Sequence, residues 1–137
     1  MIRCYVICEG QTERIFIRDV IAPILSYQQI DLRALLISTS KGNKGGALSY
    51  ERVKHFILNL IKQENNTFVT TFFDLYALDN GFPNFSESQK QVNVYNKVTQ
   101  LEQAFKEDIV KENSLFSNRF LPYIQPTRLP TTQSELA

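Results

Sequence analysis

Between residues 2 and 8 the chain reads Ile-Arg-Cys-Tyr-Val-Ile-Cys, β-branched, aromatic and thiol side chains with a single charge among them. A run of that length without polar alternation has the pattern of a strand covered on both faces, so a first strand is expected there. The period then changes. Apolar side chains recur at Phe16, Ile17, Val20, Ile21, Ile24 and Leu25, the three-and-four spacing of a helix with one buried stripe. That helix is expected over 13–26, with Thr12 as its N-cap and a kink near Pro23, which has no N–H and crowds the carbonyl four residues back.

The alternation of strand-like and helix-like segments continues to residue 125. Residues 31–38 (DLRALLIS) read as a second strand, and Tyr50, Val53, Phe56, Ile57, Leu60 and Ile61 as the buried stripe of a second helix. Residues 67–76 (TFVTTFFDLY) are the most strand-like stretch of the chain. After a polar loop holding Asn80-Gly81 and Pro83, a third helix is expected over 93–112, its buried side formed by Tyr95, Val98, Leu101, Phe105 and Ile109. RFLPYIQ, 119–125, reads as a fourth strand. A β-α-β-α-β-α-β order implies right-handed crossovers and a mostly parallel four-stranded sheet with helices on both faces: an α/β, three-layer α/β/α, Rossmann-like sandwich over residues 1–125. Residues 126–137, with two prolines and three threonines, read as a polar, loose tail.

Composition narrows the function more than the fold. At 137 residues the chain suits one domain, burying roughly two-thirds of its unfolded surface. A net charge of +1 argues against a protein that holds nucleic acid by a broad basic face, so any such contact would be local. Cys4 and Cys8 share one face of a strand too far apart to bridge, and with no third Cys or His nearby they read as reduced core thiols rather than metal ligands. His55 falls off the buried stripe of its helix and reads as a solvated side chain. With no leader and no run of transmembrane length, a cytoplasmic protein without a membrane partner is expected.

Ligands of open parallel sheets bind beyond the carboxyl ends of the strands. Glu9 closes the first strand and Asp74 the third. Each alone reads equally well as an ordinary polar residue at the start of a loop. Together on neighbouring strands they would suit a hard divalent cation, Mg²⁺ or Mn²⁺, which takes one or two carboxylates and fills its other positions with water and phosphate. Gly10 would allow a sharp turn and the close approach of a phosphate; Thr12 opens the helix behind it, whose free N–H groups and positive end could hold that anion, and Glu13 serves either as a capping charge or as part of a site. Ser38 to Gly46, with Lys41, Lys44 and three glycines, reads either as a phosphate cradle or as a solvated loop, and lacks P-loop spacing.

CEGQTE after the first strand, the GNKGG loop, TTFFDLYAL at the third strand, LEQAF in the last helix and RFLPYIQ occur in an order and at spacings that resemble the Toprim-like family known as domain of unknown function 4276, found in bacteria and archaea. The likeness covers residues 3 to about 125. It implies the Toprim fold of topoisomerases, primases and OLD-type nucleases, with acids after the first and third strands holding Mg²⁺ for phosphoryl transfer on nucleic acid. Carried over by position, Glu9 matches the first-strand glutamate, as metal ligand or general acid/base, and Asp74 the first aspartate of an Asp-x-Asp pair. Tyr76 stands where the second aspartate would be, and Asp79 is the residue placed to replace it as a ligand. The family's usual His-Glu-Phe-Glu segment after the last strand is missing, so the chain reads as a shortened relative whose fourth strand is an exposed sheet edge suited to a homodimer.

The function expected on this resemblance is a Mg²⁺-dependent, nuclease-like phosphoryl-transfer domain acting on DNA or RNA, in a defence or mobile-element setting and beside an ATPase partner. The alternative is a catalytically incomplete Toprim-like module that only binds a protein or nucleic acid. A nucleotide or phosphate-ester site in the same crevice is a third reading.

Overall fold

The computed structural model describes residues 1–37 and 48–127. Lys41, Lys44 and the glycines of their loop, and the tail from residue 128 onward, lie outside the described residues. Strand β1 (Ile2–Cys8) occupies the middle of the sheet, hydrogen-bonded in parallel to β2 (Ile30–Leu36) on one side and to β3 (Phe68–Asp74) on the other. Beyond β3 come two short parallel strands, β4 (Phe120–Leu121) and β5 (Ile124–Gln125). The strand order is β2-β1-β3-β4, with β5 also on β3.

The path between strands decides which face each helix covers. From β1 to β2 the chain moves outward in one direction, through α1 (Gln11–Phe16) and α2 (Ala22–Ser26). From β2 it returns across β1 to β3 through α3 (Tyr50–Gln63), and then continues outward to β4 through the short α4 (Phe85–Ser88) and the long α5 (Val94–Val110). Because such crossovers are right-handed, reversing direction puts α3 and α5 on the face opposite α1 and α2. The residues agree. Ile7, Val69, Phe73, Phe120 and Ile124 of the strands share one core with Val53, Ile57 and Ile61 of α3 and Leu101, Phe105 and Ile109 of α5, all at most 1% exposed. Val6, Cys8 and Ile17 form a smaller cluster on the other face, with Ile21, Leu32, Ala34 and Phe72 against it. The result is the α/β, Rossmann-like three-layer arrangement the pattern predicts.

Four details depart from the sequence reading, each for a local reason. The fourth strand is split, because Pro122 cannot donate to a ladder. Thr71, 1% exposed, closes the gap with its side chain: Tyr123 N–H donates to its Oγ1 at 2.9 Å and the same hydroxyl donates to Tyr123 C=O at 2.8 Å. The first helix starts at Gln11 with Gly10 as N-cap, so Thr12 is its second residue, and no side chain caps this end. Between α1 and α2 residues Ile17–Ile21 form a π turn in which Ala22 N–H reaches back to Ile17 C=O, the register slip that accommodates Pro23. One extra residue rotates the following side chains by about 100°; of the expected stripe only Ile17 is buried, and Val20 and Ile24 stand 44% and 56% exposed. Tyr95, expected on the buried side of its helix, sits in the first turn of α5 and is 64% exposed.

Side chains fasten the layers at both ends. Tyr50, the first residue of α3, packs its ring on Phe82 and Phe105 at 4.8 and 5.7 Å between centroids, and its hydroxyl donates to Asp108 of α5. Lys54 bridges Asp108 and Glu112 at 3.1 Å each. At the opposite end the Arg119 guanidinium donates to the carbonyls of Ile61, Glu64 and Thr67, closing the C-terminus of α3, where a cation is favoured.

Thr71→Val leaves the N–H and C=O of Tyr123 without their partner and is expected to lower stability by about 2–4 kcal/mol, since each unpaired buried polar group costs about 1–3 kcal/mol. Thr71→Ser, which keeps the hydroxyl, should lose far less. Urea unfolding of both variants checks this, and equal losses would show that volume, not the hydroxyl, matters.

Candidate functional site

In an open α/β sheet the crevice lies where neighbouring strands send their crossovers to opposite faces. Here that point falls between β1 and β3. Their register pairs Cys8 with Phe72, so the residues leaving the two strands, Glu9 and Asp74, meet at the mouth of the crevice. The Asp74 N–H donates to Glu9 Oε1 at 3.4 Å. Both side chains are half-buried.

Burial dominates the electrostatics. It pushes the Glu9 carboxyl up to about 7; the Asp74 N–H pulls it down, and the charges of Glu13 and Asp74 push it further up. A carboxyl that changes charge near neutral pH can give or take a proton under ordinary conditions, which an exposed glutamate cannot do efficiently. Glu13 folds back over Gly10. A Cβ on residue 10 would stand 2.5 Å from Glu13 Oε2, so the missing side chain at this position makes room for that carboxylate. Gly10 has φ −136°, extended backbone open to any residue; its value here is space.

Asp74 is only partly committed to the crevice. Its Oδ1 accepts the N–H of Tyr76 at 3.0 Å, capping the turn Leu75–Ala77, and Tyr76 itself points outward, 72% exposed. Asp79 turns elsewhere: its Oδ2 accepts the N–H of Tyr50 at 2.9 Å, at the start of α3. Thr12 is exposed on α1. The structure therefore brings together Glu9, Gly10, Glu13 and Asp74, and not Asp79. Among the described residues no three His, Cys, Asp or Glu side chains gather closely enough to hold a metal ion. The two carboxylates at the crevice fit a Mg²⁺ that keeps most of its water and takes further oxygens from a phosphate, and do not fit a cage made of protein ligands alone.

Two neighbours escaped the sequence reading. Arg14 lies close enough to Cys8 to pull its thiol down, although burial and the charges of Glu13 and Glu9 carry that thiol up to about 12 and keep it an inert S–H. The Arg14 Nε is buried and has no hydrogen-bond partner among the described residues. Its place one turn into the helix behind Glu9 was the available signal. The second is Tyr123, whose ring stacks on Phe72 at 5.7 Å, two residues before Asp74. Both cysteines are free thiols, and His55 is exposed with Nε2 3.1 Å from Asn59 Nδ2.

The open parallel sheet, with helices on both faces and two carboxylates at its switch point, defines a Rossmann-like α/β protein. The chain belongs to the family described as Domain of unknown function (DUF4276), whose model matches residues 8–129, from the last residue of β1 past the end of β5. No curated protein and no solved structure matches it. Among the described residues no helix is long and apolar enough to cross a membrane.

A carboxyl whose pKa is raised on folding binds extra proton between its unfolded and folded values, so stability falls as pH rises through that window and stays lower above it. For Glu9 the window runs from the ordinary 4.5 to about 7, worth up to about 3 kcal/mol. Glu9→Gln should remove this segment of the pH dependence and be the more stable form above the window. Denaturant midpoints of both chains across that range test it; parallel curves would mean that Glu9 titrates like an exposed glutamate.

Proposed function

We propose that the crevice between β1 and β3 is a Mg²⁺- or Mn²⁺-dependent phosphoryl-transfer site acting on a phosphodiester of nucleic acid. The observation that carries this reading is the meeting of Glu9 and Asp74 at the switch point, with Glu9 held near its charge change by burial. The order of motifs shared with Toprim-like proteins supports it, since acids after the corresponding strands serve that chemistry there.

In this reading Asp74 offers its second oxygen to the cation, its first being engaged by the Tyr76 N–H. When bound, the ion would draw charge from the phosphate oxygens and help orient the attacked group. Glu9 takes a proton from the attacking oxygen or returns one to the leaving oxygen, a role its near-neutral pKa suits at physiological pH. The Asp74 N–H fixes the Glu9 carboxylate in place. Arg14, whose charge reaches Cys8 at the end of β1, would offset negative charge brought to the crevice.

A second reading has its own observation. Asp74 caps the turn after β3, Asp79 is spent on the start of α3, and among the described residues no three acids gather closely enough to hold a metal ion, as in a module that binds nucleic acid or protein without turnover.

Calorimetric titration with Mg²⁺ and Mn²⁺, followed by incubation with single- and double-stranded DNA and RNA, separates the two. Phosphoryl transfer predicts cation binding that strengthens as pH rises through about 7, because Glu9 beside Asp74 adds its negative charge to the site once it loses its proton. It also predicts at least a tenfold loss in Asp74→Asn, about 1.4 kcal/mol, and cleavage abolished in Glu9→Gln. Nucleic-acid binding without cleavage, unchanged in both variants, would establish the second reading.

A further inference from the structure

The notable unpaired edge of this sheet is β2. On the far side β4 and β5 are two residues each and interrupted by Pro122, an edge too short and broken to template a partner. Strand β2 is seven residues long, and among the described residues it pairs only with β1. We infer that β2 is the surface through which two copies of this chain associate, by antiparallel pairing of β2 with β2 about a two-fold axis at Leu32, so that one continuous sheet runs through both protomers.

The phase of the hydrogen bonds selects that register. Ile37 N–H donates to Cys8 C=O and Ile2 N–H donates to Gln29 C=O, each at 2.9 Å. In a parallel ladder alternate residues turn both backbone groups to the same neighbour. Odd-numbered residues of β2 therefore face β1, and Ile30, Leu32, Ala34 and Leu36 turn N–H and C=O to the open edge. Symmetric antiparallel pairing must then centre on an outward-facing residue as a hydrogen-bonded pair, or on an odd one as a non-hydrogen-bonded pair. Centring on Asp31 or Arg33 would set like charges directly opposite each other, which is destabilising. Centring on Leu32 sets Asp31 of each chain opposite Arg33 of the other, twice, in the closer non-hydrogen-bonded positions.

The charges are already arranged for it. Asp31 accepts from Arg3 at 3.3 Å and from Arg33 of its own strand at 3.1 Å, so across the axis the row becomes Arg3, Asp31, Arg33 of the second copy, alternating in sign. On the opposite face Leu32 meets Leu32 and Ile30 meets Ala34, all partly exposed in the single chain. The axis stands perpendicular to the sheet and puts both copies of α1 and α2 on one face, side by side, where the exposed Val20 and Ile24 of the segment over β2 gain cover. An isologous contact of this kind closes at two copies.

The test uses a proline. On an edge strand a residue whose N–H faces solvent tolerates proline, so Ala34→Pro should fold as the wild type does while losing an outward donor at each of two positions in the dimer. Light scattering over a wide range of concentration should give a dimer for the wild-type chain and for Ala34→Ser, and a monomer for Ala34→Pro with an unchanged far-ultraviolet spectrum. The register is read separately by mixing Asp31→Cys with Arg33→Cys under mild oxidation. Opposed non-hydrogen-bonded residues have Cα atoms about 4.5 Å apart, within disulfide range, so the mixture should cross-link where neither variant does alone. A wild-type chain that stays monomeric at every concentration, an Ala34→Pro variant that remains dimeric, or cross-linking in the single variants would each overturn the inference.

Discussion

Strand β1 is hydrogen-bonded to a parallel neighbour along its whole length on one side and along Cys4–Cys8 on the other, and most of the molecule depends on that double pairing. A parallel strand cannot be joined to its neighbour by a tight turn, so each pairing demands a crossover, and a central first strand forces the chain to leave to one side and come back past it. That reversal separates the helices onto two faces and leaves a gap over the ends of β1 and β3. Ile7 looks into the large core and Val6 and Cys8 into the small one, which is why the strand carries no polar alternation. The acids at its mouth follow from the same register: with Cys8 beside Phe72, Glu9 is the next residue out on β1, and Asp74 closes β3 just beyond the buried Phe73, so each stands where its strand leaves the core.

Tyr50 shows how the rest of the chain is held to that frame. Its backbone N–H, ring and hydroxyl reach three different parts of the protein, namely Asp79, the Phe82 and Phe105 rings, and Asp108. Aromatic contacts at these separations add to the area they bury. The loop after β3 is thereby pinned to the start of α3, and Asp79 is used for this attachment. A residue that the spacing of acids offers as a third ligand is thus drawn off by a backbone donor far away in sequence.

The same contrast explains what could be read from the amino-acid sequence. The buried stripes of α3 and α5 and the strands β1 and β3 follow from hydrophobic period alone, because packing on two sides leaves a strong signal, and their order determines the layers. Glu9 and Asp74 were legible for the same reason, as the first polar residues after buried strands. What was not legible depends on partners distant in sequence or on a single residue's backbone chemistry. The Thr71 hydroxyl that bridges Tyr123, the turn of Asp79 toward Tyr50, and the rotation of Val20 and Ile24 into solvent by the π turn ahead of Pro23 all belong to this kind. Arg14 was passed over because its helix position resembles that of any solvated arginine, and only the fold brings it beside Cys8.

The two ends of the sheet face opposite demands, and their side chains differ accordingly. At the N-terminal end of the strands opposite charges are matched: Asp31 takes two arginines, and Arg119 takes three carbonyls. At the C-terminal end like charges are gathered, and burial together with the charges of Glu13 and Asp74 raises the cost of ionising Glu9. A fold under pressure only for stability would gain by replacing Glu9 with a neutral side chain, since a half-buried carboxyl that must ionise near neutral pH weakens the native state over the range where proteins usually function. That cost falls on one acid at the switch point between β1 and β3, and perturbed acids of this kind concentrate at functional sites, which is the physical ground for proposing a site there rather than elsewhere on the sheet.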